Sequence, residues 1–362
     1  MITTTGAKYL SIYLGNVCNF ECSYCDRDYI KDTIGGQRMH TDDIEDIINF
    51  ISLMKTDDGN YPLSMLNFHG GEPFVYVQLM DNILDKIDEM FPDSNFPFYI
   101  QTNGSLIVGN EWFLKKWKER LFVSISYDFL FQGENRTEFD IAATIQALQS
   151  AGVNNIQFQF VVPIHKRNAF SLDTIKSITD VCAKNNIKRI NIIPLRHIRG
   201  KDKFRVIVDE IDLKAFFNAF TKFIEMLYVM GMTVLIDGQE HDFDKHYFEN
   251  HKQIILSPDG YIYPEYDFLE YKMYDTVVGT WKKQTIIPIK LVRDNPDQET
   301  PLIPLICVDC ESRDQCGLKF LYKEFEKTPQ GNCRTFYQML NIAIKHSQKL
   351  RQKPTLMHWI GI

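Results

Sequence analysis

Short apolar runs rich in β-branched and aromatic residues alternate with amphipathic stretches from residue 8 to about residue 205, and this alternation constrains the fold more than any other feature. Strand-like and helical segments in strict succession imply parallel strands joined by helical crossovers. The runs predict strands at 8 to 15, 64 to 69, 96 to 102, 121 to 126, 155 to 163 and 188 to 194. Between them the periodicity predicts helices at 41 to 54, 76 to 90, 110 to 119, 137 to 151 and 171 to 185. Six such units make an α/β fold of the partial (β/α)6, TIM-like barrel type, whose active site gathers at the C-terminal ends of the strands.

A long connecting helix is expected at 209 to 231, where Ile211, Leu213, Phe216, Phe217, Phe220, Phe223 and Ile224 recur at helical spacing as core residues. Beyond it come a strand, TVLIDG, and two β runs about a Pro-Asp-Gly turn in SPDGYIYPE, then a cysteine-rich stretch and a helix. The division read from this is a barrel at 1 to 208, a connecting helix and linker at 209 to 252, and a C-terminal domain at 253 to 362.

Composition narrows the setting. The 362 residues are 44% hydrophobic and 24% charged, as expected of a globular protein. No run approaches the roughly 20 apolar residues that span a bilayer, and MITTTGAKYL has neither the basic nor the apolar part of a secretory signal. A cytoplasmic protein with no membrane partner is expected. Its eight cysteines are then better explained by metal ligation than by disulfides. The net charge of -7 argues against nucleic-acid binding over the whole surface, though not against a local basic patch.

Three of those cysteines, Cys18, Cys22 and Cys25, fall in CNFECSYC, directly after the first strand. A 4Fe-4S cluster normally takes four thiolates, so three leave one iron open. Three close cysteines also occur in zinc sites and disulfide frameworks. Their C-x3-C-x2-C spacing after a buried strand resembles the radical S-adenosylmethionine (SAM) superfamily. The resemblance implies SAM chelated to the open iron, a reductant such as flavodoxin or ferredoxin, and a 5′-deoxyadenosyl radical that abstracts a substrate hydrogen. It also implies that Tyr24 packs on the SAM adenine; the plainer reading of Tyr24 is a loop anchor.

Other strand ends match the same resemblance. His69-Gly70-Gly71-Glu72-Pro73 is similar to the superfamily's GGE motif. There Gly70 and Gly71 let backbone approach a ligand, and Glu72 can accept from the SAM ammonium. Gln101-Thr102-Asn103-Gly104 resembles a QTNG element, which places Gln101 and Asn103 near SAM. Ser124-Ile125-Ser126-Tyr127-Asp128 resembles SLDG, with Tyr127 and Phe129 in place of Leu and Gly. By that match Ser126 and Arg136 contact the SAM carboxylate, a group suited to bidentate Arg. Asp128 is then the candidate catalytic proton acceptor, with capping of the following turn as its alternative. Leu195 packs on adenine or in the core.

Cys307, Cys310, Cys316 and Cys333 form C-x2-C-x5-C-x16-C, a complete ligand set for a second cluster. In this setting the set resembles the SPASM iron-sulfur domain of sulfatase-maturating and peptide-modifying enzymes. Glu265 and Phe320 stand where that pattern has cysteines, which removes ligands of the inner auxiliary cluster and keeps those of the outer one. One auxiliary 4Fe-4S cluster is expected; a zinc site with four thiolates is the alternative. Cys182 reads as a small buried hydrophobe. His241, Asp242, Asp244 and His246 read as a solvated loop.

The function implied by the resemblance is hydrogen abstraction from a residue of a peptide or protein, as an oxidoreductase or an isomerase. With the barrel starting within ten residues of the N-terminus, a separate protein would supply leader recognition. A second reading is modification or rearrangement of a nucleotide or hypermodified DNA base bearing an amino-acid adduct. It is motivated by the basic run Arg196, His197, Arg199, Lys201, Lys203 and Arg205, and by Lys345, Lys349, Arg351 and Lys353. A non-catalytic iron-sulfur scaffold is a third, disfavoured because storage does not need Gly70, Gly71 and Glu72.

Overall fold

The structure is a computed structural model that describes residues 9–25, 38–54, 63–92, 95–199, 204–236, 253–263, 279–282, 285–286 and 332–351. The strands are β1 (Tyr9–Tyr13), β2 (Met65–His69), β3 (Phe98–Thr102), β4 (Leu121–Ser126), β5 (Asn155–Val162) and β6 (Arg189–Pro194). The helices between them are α1 (Ile44–Leu53), α2 (Val77–Met90), α3 (Glu111–Trp117), α4 (Ile141–Ala151) and α5 (Leu172–Lys184). All six strands and five helices stand where the alternation placed them, within a few residues at each end. Side chains set several helix starts: Asp140 caps α4 by accepting from the Ala143 N–H at 3.0 Å, and Ser171 caps α5 through Thr174.

The six strands pair in parallel in the order β1-β2-β3-β4-β5-β6, each beside its sequence neighbour. Two further parallel strands extend this row. β9 (Thr233–Ile236) pairs with β6, and β10 (Gln253–Leu256) pairs with β1. β10 then turns through Gly260, at φ +88°, into antiparallel β11 (Tyr261–Tyr263), the expected Pro-Asp-Gly hairpin. The short β12 (Gly279–Thr280) and β13 (Thr285–Ile286) continue that edge. The sheet thus runs without a break across the boundaries read at 208 and 253. A second, two-stranded sheet, β7 (His197–Arg199) with β8 (Phe204–Val206), rises just beyond the end of β6, where the sequence shows only its basic run.

Register explains the two faces of the sheet. Leu10, Leu66, Phe98 and Leu121 lie side by side, as do Ile12, Phe68, Ile100 and Val123, and all are buried in one apolar core with the helices. Because side chains alternate along a strand, the other face carries Ser11, Asn67, Tyr99 and Phe122 in one row, Gln101, Ser124 and Gln157 in another, and Tyr13, His69, Ser126 and Gln159 near the C-terminal ends. This face is knitted by side-chain hydrogen bonds, Asn67 to Ser11 and Gln157 to Ser124, each at 3.2 Å. This is a parallel-dominated α/β fold of the partial-barrel kind, apolar outside under its helices and polar inside.

The helix predicted at 209 to 231 is α6 (Leu213–Val229), and Phe216, Phe217, Phe220, Phe223 and Ile224 are buried core residues. The last helix, α7 (Asn332–Arg351), packs on it: the Phe336 ring lies 5.9 Å from that of Phe216, and the Ser347 hydroxyl donates to the Val234 carbonyl. Cys182 is buried in α5, as expected, and burial pushes its thiol up to about 12. No helix among the described residues is long and apolar enough to cross a membrane.

Candidate functional site

The cysteine loop leaves β1 and closes over the C-terminal ends of β2, β3 and β4, held differently by each. At β2 the contact is backbone to backbone. The Gly71 N–H donates to the Gly15 carbonyl at 2.8 Å, and the Glu72 N–H to the Val17 carbonyl at 2.9 Å. A Cβ on Gly70 would stand 2.6 Å from the Gly15 oxygen, and one on Gly71 2.5 Å from the Val17 oxygen. The two glycines therefore let the cysteine loop lie close against this turn.

Glu72 also has protein partners. Its carboxylate, 1% exposed, accepts from the Thr102 hydroxyl at 2.7 Å, the Asn103 N–H at 2.7 Å and the Phe74 N–H at 3.1 Å. Burial raises its pKa and these donors oppose the rise. In the structure Glu72 ties the β2 turn to the β3 turn.

At β3, Asn103 is 4% exposed and reaches the loop through its side chain. Its amide N–H groups donate to the Asn19 carbonyl oxygen at 2.8 Å and to the Cys18 sulfur at 3.8 Å. Its own oxygen accepts from the Ser105 N–H and hydroxyl, and Asn19 donates in turn to the Ser105 oxygen at 2.8 Å. A closed ring of three polar residues thus faces Cys18, whose sulfur also accepts from the Phe20 N–H at 3.4 Å.

At β4 the contact is made by charge and hydroxyl. Arg136 Nη1 donates to the Tyr24 hydroxyl oxygen at 2.9 Å, and the Tyr24 hydroxyl donates to Asp128 Oδ2 at 3.0 Å. Asp128 is 0% exposed and burial lifts its carboxyl to about 6, partly offset by Arg136 and the Tyr24 hydroxyl. Gln132, 5% exposed, fixes the turn by accepting from the Asp128 N–H and donating to the Thr137 carbonyl. Phe129, the residue after Asp128, sits at φ +50°, a left-handed conformation that costs roughly 1–2 kcal/mol. Its ring is buried against Tyr127, Phe158 and Phe160 at 5.2, 5.3 and 5.5 Å, which offsets that strain.

The remaining sequence candidates sit near by. Ser126 is buried and Gln101 half-buried on the polar face, at the ends of β4 and β3. Leu195, 6% exposed, belongs to the apolar core and donates its N–H to the Val162 carbonyl. Cys18, Cys22 and Cys25 are half-buried and in no disulfide. Cys307, Cys310 and Cys316, with His241 to His246, lie outside the described residues; Cys333 falls in the first turn of α7.

Does this arrangement suit the groups the sequence implies? Among the described residues no three His, Cys, Asp or Glu side chains converge on a single ion. Cluster thiolates bind different irons and need not converge, so the triplet suits a cluster better than a mononuclear zinc. Among the described residues some buried polar atoms have no hydrogen-bond partner. They include both amide atoms of Asn16, which is 3% exposed, and Arg136 Nε. Such atoms are rare without a ligand or water to satisfy them, and a polar cofactor would do so. Asn16 and Gln132 escaped the sequence reading; the only sequence signal for Asn16 is a polar residue closing a buried strand two positions before the first cysteine.

Comparison with known proteins points to the same superfamily as the motifs. Residues 12–168 match the Radical SAM superfamily. Over this stretch the chain is similar to that superfamily. The matched residues run from β1 through β5 and contain the cysteine loop and its three supporting turns. The uncharacterized protein MJ0907 of Methanocaldococcus jannaschii is 29% identical over 126 residues, which cover 34% of this chain and 40% of that relative.

Solved structures share the fold. Streptococcus suis SuiB bound to S-adenosylmethionine superposes with a TM-score of 0.58 at 16% identity, covering 86% of this chain and 72% of SuiB. Native anSMEcpe with bound AdoMet gives 0.58 at 16% identity, over 94% of this chain and 99% of that one. SuiB bound to its precursor peptide SuiA gives 0.53 at 17% identity, over 80% and 65%.

Proposed function

We propose that the protein holds a 4Fe-4S cluster on Cys18, Cys22 and Cys25, binds SAM beside it, and abstracts hydrogen from a residue of a peptide or protein. One electron delivered through the cluster would split SAM into methionine and a 5′-deoxyadenosyl radical, which takes a substrate hydrogen atom to become 5′-deoxyadenosine. The observation that carries this reading is the cysteine loop braced by three strand-end turns, with buried donors of Asn16 and Arg136 that find no partner among the described residues. Neighbouring folds support it, since SuiB and anSMEcpe were solved with SAM and SuiB with a precursor peptide. The polar inner face, which includes Gln101, Ser126 and Gln159, suits a hydrogen-bonding substrate group entering from the strand ends.

We further assign the C-terminal residues 253 to 362 to a SPASM-like unit in which Cys307, Cys310, Cys316 and Cys333 hold one auxiliary cluster. A reductant of the flavodoxin or ferredoxin type would supply electrons. Anaerobic reconstitution followed by iron, sulfide and 5′-deoxyadenosine analysis tests both parts. About eight irons per chain are expected; about four would remove the auxiliary cluster. Replacing Cys18, Cys22 and Cys25 by Ala should abolish SAM cleavage, and residual cleavage would overturn the assignment.

A second reading, action on a nucleotide or hypermodified DNA base, is favoured by the β7–β8 hairpin. Arg196, His197, Arg199 and Arg205 lie on or beside it, at the C-terminal end of β6. Lys201 and Lys203 lie outside the described residues. Binding to an oligonucleotide that falls steeply with added salt would support this reading over the peptide.

A further inference from the structure

Asp128 is the residue that the sequence singles out as a substrate-facing proton acceptor, yet its side chain is sealed from solvent and turned toward the cysteine loop. We propose that Asp128 is instead a positioning residue: through Tyr24 and Arg136 it anchors the cysteine loop to the end of β4 and keeps a permanent cation beside Cys22. The inference rests on the proposed assignment of a cluster to Cys18, Cys22 and Cys25.

The direction of each hydrogen bond follows from chemistry. A guanidinium can only donate. The Tyr24 oxygen therefore accepts from Arg136 at 2.9 Å, which leaves the Tyr24 hydrogen to point at Asp128, 3.0 Å away. Asp128 must then accept, and its other oxygen accepts the Val161 N–H of β5 at 3.4 Å. A half-buried cation and a buried carboxylate are thus joined through one hydroxyl, and that hydroxyl belongs to the residue before Cys25. Breaking such a pair at one end strands the other charge in a low-dielectric site. Both partners are fixed from the barrel side: Gln132 holds the Asp128 backbone, and its carbonyl accepts the Arg136 N–H at 2.9 Å.

A backbone contact runs parallel to the side-chain one. The Ser23 N–H donates to the Asn135 carbonyl at 2.9 Å, so two successive loop residues are held by the segment between Asp128 and Arg136. The Arg136 charge also acts electrostatically on Cys22 and Tyr24. A group held in this way cannot reach a substrate without releasing Tyr24. An anchor does not need to.

Hydrogen–deuterium exchange of the loop peptide containing residues 18 to 25 tests the anchor in protein carrying no cluster. Asp128→Asn and Tyr24→Phe both keep the packing volume. Each should speed exchange of this peptide about tenfold, the loss expected for a charge-assisted hydrogen bond, while peptides from α1 to α3 stay as in the parent protein. The double variant should exchange no faster than either single one, because both remove the same link. Additive effects, or parent-like exchange in Asp128→Asn, would overturn the proposal.

A second measurement uses reconstituted protein with SAM and no substrate. The anchor requires the electron paramagnetic resonance spectrum of the reduced cluster to change in both variants, and in the same sense. If Asp128 were a substrate base, Asp128→Asn would leave that spectrum untouched, and the proposal would fall. Should the parent protein load no cluster at all, the functional assignment fails, while the exchange result still decides whether the anchor exists.

Discussion

The turns after β2 and β4 both brace the cysteine loop, and they do so by opposite means. At Gly70 and Gly71 the loop lies on bare backbone, with carbonyl oxygens where side chains would begin. At Tyr127 to Phe129 the loop is caught by long side chains, and the turn includes a phenylalanine at a positive φ that glycine would adopt freely. A backbone contact tolerates no change in residue type but needs no burial of charge. A side-chain contact tolerates variation in the turn, at the cost of a buried acid, a half-buried base and local strain. This difference explains how the SLDG-like element can carry Tyr127 and Phe129 while the Gly-Gly-Glu element is intact.

The sharpest way to break the comparison is to give the β2 turn a side chain. Gly71→Ala places a Cβ 2.5 Å from the Val17 oxygen and 2.6 Å from the Asn16 oxygen, both backbone atoms that cannot swing aside. The expected cost is about 2–3 kcal/mol, with loss of retained iron after reconstitution. Iron analysis and urea unfolding measure both. Full iron retention would show that the loop can shift without losing its hold.

The β4 turn should respond in the opposite sense. Phe129→Ala loses the buried ring and keeps the unfavourable φ, so a destabilisation of about 3 kcal/mol is expected. Phe129→Gly loses the same ring but relieves the backbone strain, and should be the milder change by about 1 kcal/mol. Urea unfolding of the two variants checks the order. Equal midpoints would mean that the turn is not strained.

The β4 turn should also respond to pH. Burial lifts Asp128 from its ordinary 3.8 to about 6, so between these values the folded protein holds a proton that the unfolded chain releases. Stability from this group is therefore present below about pH 4 and lost as pH rises through about 6, by on the order of 2–3 kcal/mol. The difference in unfolding free energy between the parent and Asp128→Asn, followed from pH 4 to 7, isolates this slope from other carboxylates. A difference that does not vary with pH would place the titration elsewhere.

How much of this was legible in the sequence follows the same division between local and distant. The six strands and their helices are written in local patterns, because each buries its own apolar face against the next. The parallel pairing of β9 and β10 onto the two flanks of the sheet joins residues far apart in the chain, and nothing in TVLIDG or QIIL specifies a partner. The cysteine loop and the Gly-Gly-Glu turn are visible as motifs, but their mutual contact is not. The donors to Glu72 are no more legible, because they come from residues 74, 102 and 103. The link from Tyr24 to Asp128 spans 104 residues and has no sequence signature beyond the two residues themselves.

The smallest expected effect lies at the third brace, the Asn103 ring at the end of β3. Its N–H to Cys18 is long, 3.8 Å, and weak beside the contacts at β2 and β4, so its removal should leave the fold and the iron content close to those of the parent. What it changes is electron density at one ligand. A donor to a cluster sulfur favours the reduced, more negative state, and hydrogen bonds to sulfur are among the terms that set a cluster's potential. Asn103→Ala is expected to lower the reduction potential of the cluster proposed on Cys18, Cys22 and Cys25, as read by a redox titration followed by electron paramagnetic resonance. Asn103→Asp tests the sign, since an acceptor replaces the donor at Cys18 and should lower the potential further. An unchanged potential in both would mean that Asn103 serves only to hold Asn19 and Ser105 in place, leaving β3 as a purely structural brace between one made of backbone and one made of charge.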